Sequence, residues 1–199
     1  MENKEQFKAL FRAWVKRPGA EELLEWLEST DFFEAPASTK FHGAYHGGLL
    51  EHSLNVCREL LESDINKSVS TESLVICGLL HDVCKAGVYH PETKRRRDPD
   101  TGRWEDYQGY TFSDPFPFGH GEKSVCLIAR FIGLTKEEAL AIRWHMGAYD
   151  DSARGGSRAL SAAMAVSPLV YELHAADMRA SQKEQWREKG GGAGNEEAL

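Results

Sequence analysis

The sequence predicts an all-α fold that carries one inserted β-hairpin. Along most of the 199 residues, apolar side chains recur three and four positions apart, which is the period of a helix buried on one face. Glycine and proline separate the helical segments from one another. Residues 88–119 differ, because they combine Pro, Gly and aromatic residues over a length that exceeds an ordinary connection. We therefore expect an insertion in this part of the chain.

The first half of the chain contains four predicted helices and a loop. Several apolar residues at helical spacing mark the first helix, and Pro18 with Gly19 ends it. Residues 31–48 contain Pro36 and three glycines, so we expect a loop there. Gly87 is the expected left-handed C-cap of the fourth helix. The four helices are predicted over residues 4–16, 21–27, 49–63 and 71–86.

The insertion and the second half contain a hairpin and three more helices. Residues 89–97 and 104–112 flank a DPDTG turn, which is typical of a β-hairpin. Thr135 and Glu138 form a capping box, and Ser167 is the expected N-cap of the last helix. The three helices are predicted over residues 122–132, 135–145 and 167–184.

The length is that of one domain with short appendages. We expect residues 1–34 to form N-terminal helices that pack on the core. Residues 35–185 should form the main domain, which contains the insertion at 88–119. Residues 186–199 end in GGGAGNEEAL and are predicted to be a flexible tail.

Composition restricts the class of protein. The apolar share of 41% is ordinary for a globular chain, and no run of 18 apolar residues could span a bilayer. The N-terminus lacks a secretory signal and the four cysteines have no paired short spacing, so we expect reduced thiols in a cytoplasmic protein. A net charge of −7 argues against duplex nucleic acid, but not against a small anionic substrate. The choice between monomer and homo-oligomer stays open.

Four polar residues fall where the apolar pattern directs side chains inward. His52 and Asp177 each stand on the inward face of a helix, and His81 with Asp82 follows the apolar run LVICGLL. Burying such groups costs free energy unless they are paired or bound to a metal. Each could be a satisfied core residue, whereas one metal site would explain all four. His and Asp suit Zn²⁺, Mn²⁺ and Fe²⁺.

The segments GGLLEHSLNV, GLLHDVCK and HAADMRAS resemble the HD-domain superfamily of metal-dependent phosphohydrolases, whose signature is H…HD…D in this order. The resemblance covers about residues 40–183 and implies an HD-domain helical bundle. It implies that His52, His81, Asp82 and Asp177 ligate one divalent metal. Mn, Fe, Zn, Co, Ni and Mg all satisfy this expectation.

Many members of that superfamily add two histidines that bind a second metal, with the first Asp as a bridging ligand. His120 in PFGHGEKS and His145 in IRWHMG match these histidines in order and context. The resemblance therefore implies one or two ions per chain, with Asp82 shared between them. The alternative is that one of the two histidines is a surface or capping residue. Two metals about 3.5–4 Å apart can clamp a phosphoester while a bridging hydroxide attacks phosphorus.

Cationic side chains are candidates for holding the substrate. Lys85 stands one turn after His81 and resembles the lysine that is common after HD pairs, so we expect it to bind phosphate and assist catalysis. A solvated lysine at a helix end is the alternative. Arg95, Arg96 and Arg97 lie among aromatic residues of the predicted hairpin and are assigned to substrate binding. The alternative is a solvated charge run.

Three further histidines lie near the predicted ligands. His42 and His46 precede the first ligand helix, and we assign His46 to substrate binding. His174 stands one turn before Asp177, where it could hold a ligand in place.

The leading hypothesis for function is hydrolysis of a phosphoester in a nucleotide, cyclic nucleotide or short oligonucleotide by a metal-activated hydroxide. The resemblance also permits a second reaction, because some HD-fold proteins hold a diiron pair with the same ligand types and activate O₂. A third hypothesis is a non-catalytic nucleotide-binding module, and the complete ligand set argues against it.

Overall fold

Helices dominate the fold. The computed structural model describes residues 2–40, 43–98 and 101–190. Within these ranges it contains nine α-helices and one two-stranded antiparallel sheet. The helices are α1 Glu2–Trp14, α2 Ala20–Ser29, α3 Gly48–Glu62, α4 Thr71–Leu80, α5 His120–Ile128, α6 Lys136–Trp144, α7 Asp151–Arg154, α8 Ala159–Val166 and α9 Pro168–Glu188. The strands are β1 Tyr89–Arg97 and β2 Trp104–Phe112.

The hairpin and the helix caps agree with the prediction from the sequence. Both strands have the predicted bounds, and they pair with Tyr89 opposite Phe112. The capping box of Thr135 and Glu138 begins α6. The side chain of Ser167 caps α9 by accepting a hydrogen bond from the helix backbone. All-α with an inserted hairpin is therefore confirmed as the fold class.

Helix α4 is shorter than predicted, because the backbone changes conformation at Asp82. The helix ends at Leu80 instead of near residue 86. Asp82 has φ −105° and ψ 17°, and a 3₁₀ turn over Val83–Lys85 follows it. Gly87 has the expected left-handed conformation, with φ 74°, but it follows this turn and does not end the helix. Apolar periodicity does not separate an α-helix from a short 3₁₀ turn, since both repeat every three to four residues.

Four helices depart from the prediction in other ways. The patterns did not predict α7 or α8, although Leu160, Ala163 and Met164 of α8 recur at helical spacing and pack against the core. Helix α5 begins and ends earlier than expected. Helix α9 runs to Glu188 and so includes the first residues of the predicted tail, while residues 191–199 lie outside the described ranges.

The helices share one hydrophobic core around α3. Helix α3 packs against α4 and α9, and α6 packs against both α9 and α5. Helix α1 packs against α3 and α4, and its Phe7 and Phe11 belong to the same core as Leu49 and Leu173. Within the described ranges, no helix combines the length and apolarity needed to cross a bilayer.

Two glycines allow pairs of helices to approach closely. A Cβ on Gly78 of α4 would lie 2.4 Å from Cα of Cys57 on α3. A Cβ on Gly121 of α5 would lie 2.1 Å from the carbonyl oxygen of Arg143 on α6. Any larger residue would push the backbones apart at both places. Each of these contacts lies within five residues of a predicted metal ligand.

Candidate metal centre

The six predicted metal ligands lie in one cluster in the interior. They come from five positions in the fold: α3, the end of α4, the first residue of α5, the residue after α6, and α9. Four of them are at most 2% exposed as whole residues. The remaining two, His120 and Asp177, are half-buried. The six residues are His52, His81, Asp82, His120, His145 and Asp177.

Asp82 lies at the centre of the cluster. Its Oδ1 is 2.7 Å from Nε2 of His120 and 3.3 Å from Nε2 of His145. Its Oδ2 is 3.4 Å from Nε2 of His81 and accepts a hydrogen bond of 2.6 Å from Nζ of Lys85. One carboxylate thus faces two histidines with one oxygen and a third histidine with the other. This is the arrangement that a bridging ligand requires.

Asp177 faces the other side of the cluster. Its Oδ1 lies 3.2 Å from Nε2 of His52, and that Nε2 is 3.8 Å from Oδ2 of Asp82. The His52 and His81 rings are 5.3 Å apart between centroids. One ligand atom from each of His52, His81 and Asp177 lies within 4.8 Å of the others, which is close enough to surround one ion.

Backbone carbonyl oxygens orient two of the histidine rings. Nδ1 of His81 is 3.0 Å from the carbonyl oxygen of Gly78, and Nδ1 of His145 is 2.7 Å from that of Ile142. A carbonyl oxygen only accepts, so Nδ1 of each ring carries the hydrogen and Nε2 presents its lone pair. Over the described residues, these two buried Nε2 atoms have no hydrogen-bond partner. This donor set fits a divalent cation, which would satisfy both atoms.

The charges in the cluster shift the pKa of its members. Burial alone would raise the pKa of Asp82, but Lys85 and the surrounding histidines hold it well below its ordinary value. Burial alone would also raise the pKa of Asp177, but the hydrogen bond to His52 outweighs burial and lowers the pKa. Both carboxylates are therefore ionised at neutral pH, the state in which they bind a metal.

The pKa is raised for two of the histidines and lowered for a third. Burial would lower the pKa of His52, but hydrogen bonds to Asp177 and Glu184 raise it to about 9. For His120, burial opposes the attraction of Cys84 and Asp82, and the pKa is raised to about 10. Burial dominates at His145 and lowers its pKa. Binding of a divalent cation would displace the protons that His52 and His120 carry at neutral pH.

Reasoning from the sequence missed two residues that contact the predicted ligands, Glu184 and Cys84, and one, Asn55, that contacts Glu184. Glu184 on α9 lies 3.1 Å from Nδ1 of His52 and accepts a hydrogen bond from Asn55 at 2.7 Å. Its position seven residues after Asp177 places it on the same helix face, a signal that the sequence contained. Sγ of Cys84 lies 3.6 Å from the His120 ring, although the sequence suggested only a buried thiol.

A cavity of about 330 Å³ lies beside the cluster. Lys85 and His120 line its inner part, and Tyr89 and Phe112, at the base of the hairpin, line its aromatic side. Lys123 is also in the lining and donates a hydrogen bond of 2.6 Å to Asp114. The cavity thus combines cations, a carboxylate and aromatic rings next to the candidate metal ligands.

The other predicted site residues lie in different surroundings. Lys85 is bonded to Asp82, within the cluster. His174 donates from Nδ1 to the carbonyl oxygen of His145 at 2.7 Å, so it holds the segment that carries this ligand. His46 is exposed in the turn before α3 and does not line the cavity. His42 lies outside the described residues.

The hairpin arginines do not line the cavity either. Arg95 pairs with Asp106 at 3.1 Å and Arg96 with Glu105 at 2.5 Å across the two strands, and both side chains are about two-thirds exposed. Arg97 donates to the carbonyl oxygen of Gly102 at 2.9 Å. These contacts favour the solvated charge run over direct substrate binding.

Comparison with known proteins gives one local similarity. No protein-family model matches the chain, and no solved structure matches it. The chain is 36% identical over 58 residues to the dihydroneopterin 2',3'-cyclic phosphate phosphodiesterase of Methanocaldococcus jannaschii. The matched segment covers 26% of this chain and 23% of that relative. The chain therefore resembles a phosphodiesterase over about a quarter of its length.

Proposed function

We propose that this protein is a metal-dependent phosphohydrolase of the HD superfamily. The observation that carries the proposal is the convergence of four histidines and two aspartates on one interior point. Two of the histidines, His81 and His145, present a buried Nε2 without a hydrogen-bond partner among the described residues. The local similarity to a phosphodiesterase supports the same class of reaction.

Each ligand has a role in this proposal. His52, His81 and Asp177 would hold one ion, His120 and His145 would hold a second, and Asp82 would be a ligand of either. Divalent ions in such a centre neutralise phosphate charge and acidify a water molecule. Candidate ions are Mn²⁺, Fe²⁺, Co²⁺, Ni²⁺, Zn²⁺ and Mg²⁺, because His and Asp ligands bind all of them.

The remaining groups of the chain bind and orient. Lys85 fixes the Asp82 carboxylate through its hydrogen bond of 2.6 Å, and it stands where the cluster meets the cavity. From that place it can also neutralise a substrate phosphate. Burial would lower the pKa of Lys85, but the attraction of Asp82 outweighs this and raises it, so the lysine is cationic.

We propose a small phosphodiester that carries a ring as the substrate. The cavity is of a size that holds small organic ligands. The rings of Tyr89 and Phe112 lie 5.8 Å apart between centroids and form an aromatic wall. Lys123 and Asp114, which are hydrogen-bonded to each other, add polar groups to the lining of the same cavity. A nucleoside or pterin cyclic phosphate would stack its ring on the aromatic side and direct its phosphate to Lys85.

Anaerobic purification followed by metal analysis and a hydrolysis screen tests this function. The screen uses 2',3'-cyclic nucleotides, 3',5'-cyclic nucleotides and bis(p-nitrophenyl) phosphate with added Mn²⁺, Fe²⁺, Co²⁺ or Mg²⁺. We expect metal-dependent cleavage of a diester in the wild type and none in Asp82→Asn. Product analysis by chromatography identifies the ester bond that is cleaved.

Two outcomes would contradict the proposal. If the metal-loaded wild type cleaves none of the tested phosphoesters, the protein is not a phosphohydrolase for these substrates. Equal cleavage by Asp82→Asn would place the reaction elsewhere in the chain. Oxygen consumption by the iron-loaded protein, measured with an electrode in the presence of a polyol or phosphonate, would instead support the oxygenase alternative.

A further inference from the structure

We infer that the thiolate of Cys84 is an additional ligand of the ion held by Asp82 and His120. This inference rests on the proposed metal site and changes the composition of its second half. Cys84 lies in the 3₁₀ turn directly after Asp82 and is 4% exposed. One ligand atom from each of Asp82, Cys84 and His120 lies within 4.8 Å of the others.

The distances match the edges of a metal coordination shell. Sγ of Cys84 lies 3.7 Å from Nε2 of His120, and that Nε2 lies 2.7 Å from Oδ1 of Asp82. With metal–sulfur and metal–nitrogen bonds of about 2.3 and 2.0 Å at a tetrahedral angle, sulfur and nitrogen ligands are separated by about 3.5 Å. This spacing is close to that of two ligands on one ion, but Sγ is equally near Nδ1 of the same ring, at 3.6 Å, so the His120 ring would turn to direct Nε2 at an ion shared with the thiolate.

A second buried histidine faces the same carboxylate oxygen of Asp82 as His120 does. Nε2 of His145 is fully buried, lies 3.3 Å from Oδ1 of Asp82 and has no hydrogen-bond partner among the described residues. Its ring centroid lies 5.1 Å from that of His120. The thiol thus joins a region that an unsatisfied imidazole nitrogen already marks as a ligand site.

The backbone of Cys84 is fixed on the side of α5. Its N–H donates to Oγ of Ser124 at 3.2 Å, which ties the 3₁₀ turn to the helix that begins with His120. The turn itself follows from the change of conformation at Asp82. Had α4 continued through residue 86, Asp82 and Cys84 would be separated by a rotation of about 200° and would project to nearly opposite sides of the helix. The shortened helix therefore brings Asp82 and Cys84 to the same side.

The thiolate has a chemical consequence for the choice of metal. Binding releases the thiol proton to solvent and forms a metal–sulfur bond, with no oxidation or reduction. Thiolate ligands favour Zn²⁺, Fe²⁺ and Co²⁺ over Mg²⁺ and Mn²⁺, which prefer oxygen. We therefore expect the two halves of the centre to differ in affinity, with the softer ion bound by Cys84 and His120.

Cobalt binding provides the test. Apo protein is titrated anaerobically with Co²⁺ while the near-ultraviolet thiolate-to-cobalt charge-transfer band and the visible bands of bound Co²⁺ are recorded. We expect the charge-transfer band to appear in the wild type and to be lost in Cys84→Ser, with the second cobalt bound at least about tenfold more weakly. The control is Cys126→Ser, which removes a half-buried thiol from α5 and should keep the band.

Several results decide the inference. A charge-transfer band that survives in Cys84→Ser would overturn the assignment of Cys84 as a ligand. Visible bands of bound Co²⁺ in the wild type without a charge-transfer band would overturn it as well. X-ray absorption of the wild type loaded with two equivalents of Zn²⁺ checks the same point without a variant, since a sulfur ligand lies at about 2.3 Å. If the protein binds cobalt with the charge-transfer band but has no phosphodiesterase activity, the Cys84 thiolate ligand is supported and only the proposed function is refuted. A wild type that binds no cobalt refutes both.

Discussion

Oε2 of Glu184 lies 3.1 Å from Nδ1 of His52, so α9 supports a candidate ligand that belongs to α3. Asn55 donates to the other oxygen of the same carboxylate at 2.7 Å. An acceptor at Nδ1 fixes the imidazole tautomer and makes Nε2 a stronger metal ligand. Glu184 therefore acts through His52 and not on the ion itself.

Replacing Glu184 should weaken metal binding without removing a ligand. We expect Glu184→Ala to lower the affinity of the ion bound by His52 by about ten- to a hundredfold, because the ring loses its acceptor. Glu184→Gln should recover part of this loss, since an amide oxygen can still accept. Calorimetric titration with Mn²⁺ measures the effect, and Glu172→Ala on the same helix is the control. Unchanged affinity in Glu184→Ala would refute the positioning role.

Widening the gap between α3 and α4 should affect both stability and metal binding. A Cβ at Gly78 would lie 2.4 Å from Cα of Cys57, so Gly78→Ala must move one helix away from the other. We expect a loss of about 1–3 kcal/mol in the free energy of unfolding, together with weaker metal binding, because His52 and His81 lie on these two helices. Urea denaturation and metal titration check both effects. Gly133→Ala, where a Cβ contacts nothing within 4 Å, should change neither.

An ion pair away from the metal centre should contribute to acid sensitivity. Arg17 donates two hydrogen bonds of 2.6 Å to Glu138, whose side chain is fully buried. Burial would raise the pKa of Glu138, but the bonds from Arg17 and other donors lower it below 4.5. A lowered pKa in the folded state stabilises the protein above about pH 4.5, and this stabilisation disappears as the pH falls through the lowered value.

The change Glu138→Gln should remove this pH-dependent contribution. We expect the free energy of unfolding to fall by roughly 1.5–3 kcal/mol at neutral pH, since a charge-assisted bond is lost. The difference in the free energy of unfolding between wild type and variant should narrow as urea denaturation is repeated at successively lower pH below 4.5 and wild-type Glu138 takes up its proton. Glu137→Gln, at an exposed neighbour, should have little effect. If the difference in the free energy of unfolding between wild type and Glu138→Gln does not change with pH, the loss of stability arises from packing alone.

The hairpin tip and the hairpin base should differ in their effect on the substrate. Arg95, Arg96 and Arg97 form contacts within the hairpin and do not line the cavity. Replacing all three by Ala should leave KM within about twofold, in keeping with weak exposed ion pairs. Phe112→Ala, at the cavity wall, should raise KM for a cyclic nucleotide by about five- to tenfold through loss of ring stacking. Steady-state kinetics on the same diester measures both variants, and a larger effect of the arginines would restore their substrate role.

Much of the fold could be predicted because local signals agreed with tertiary packing. The strands, the capping box of Thr135 and the N-cap Ser167 depend on contacts within a few residues, which a sequence displays directly. Helix α8 was missed because it has only eight residues, so the helical spacing of Leu160, Ala163 and Met164 is seen over a single turn. The end of α4 was missed because the change of backbone at Asp82 leaves the apolar spacing intact.

The candidate site was predictable in its ligands and less so in its surroundings. Polar residues on inward faces indicated four of the six side chains that the structure brings together, and the family resemblance added His120 and His145. Cys84 gave no such signal, since a buried thiol is compatible with an ordinary core. For the arginines, composition does not tell whether a charge faces the cavity or an acidic partner on the adjacent strand, and the substrate role predicted for them stays a prediction.

The position of α9 late in the sequence has a consequence for biosynthesis. Asp177 and Glu184 both reach the cluster from this helix, whereas the histidines on α3 and α4 leave the ribosome much earlier. During translation, a nascent chain that ends before α9 lacks both Asp177, the candidate ligand, and Glu184, which orients His52. Under the proposed function, a ribosome-bound chain truncated before α9 would therefore lack Asp177 and should bind the first ion more weakly than the complete chain.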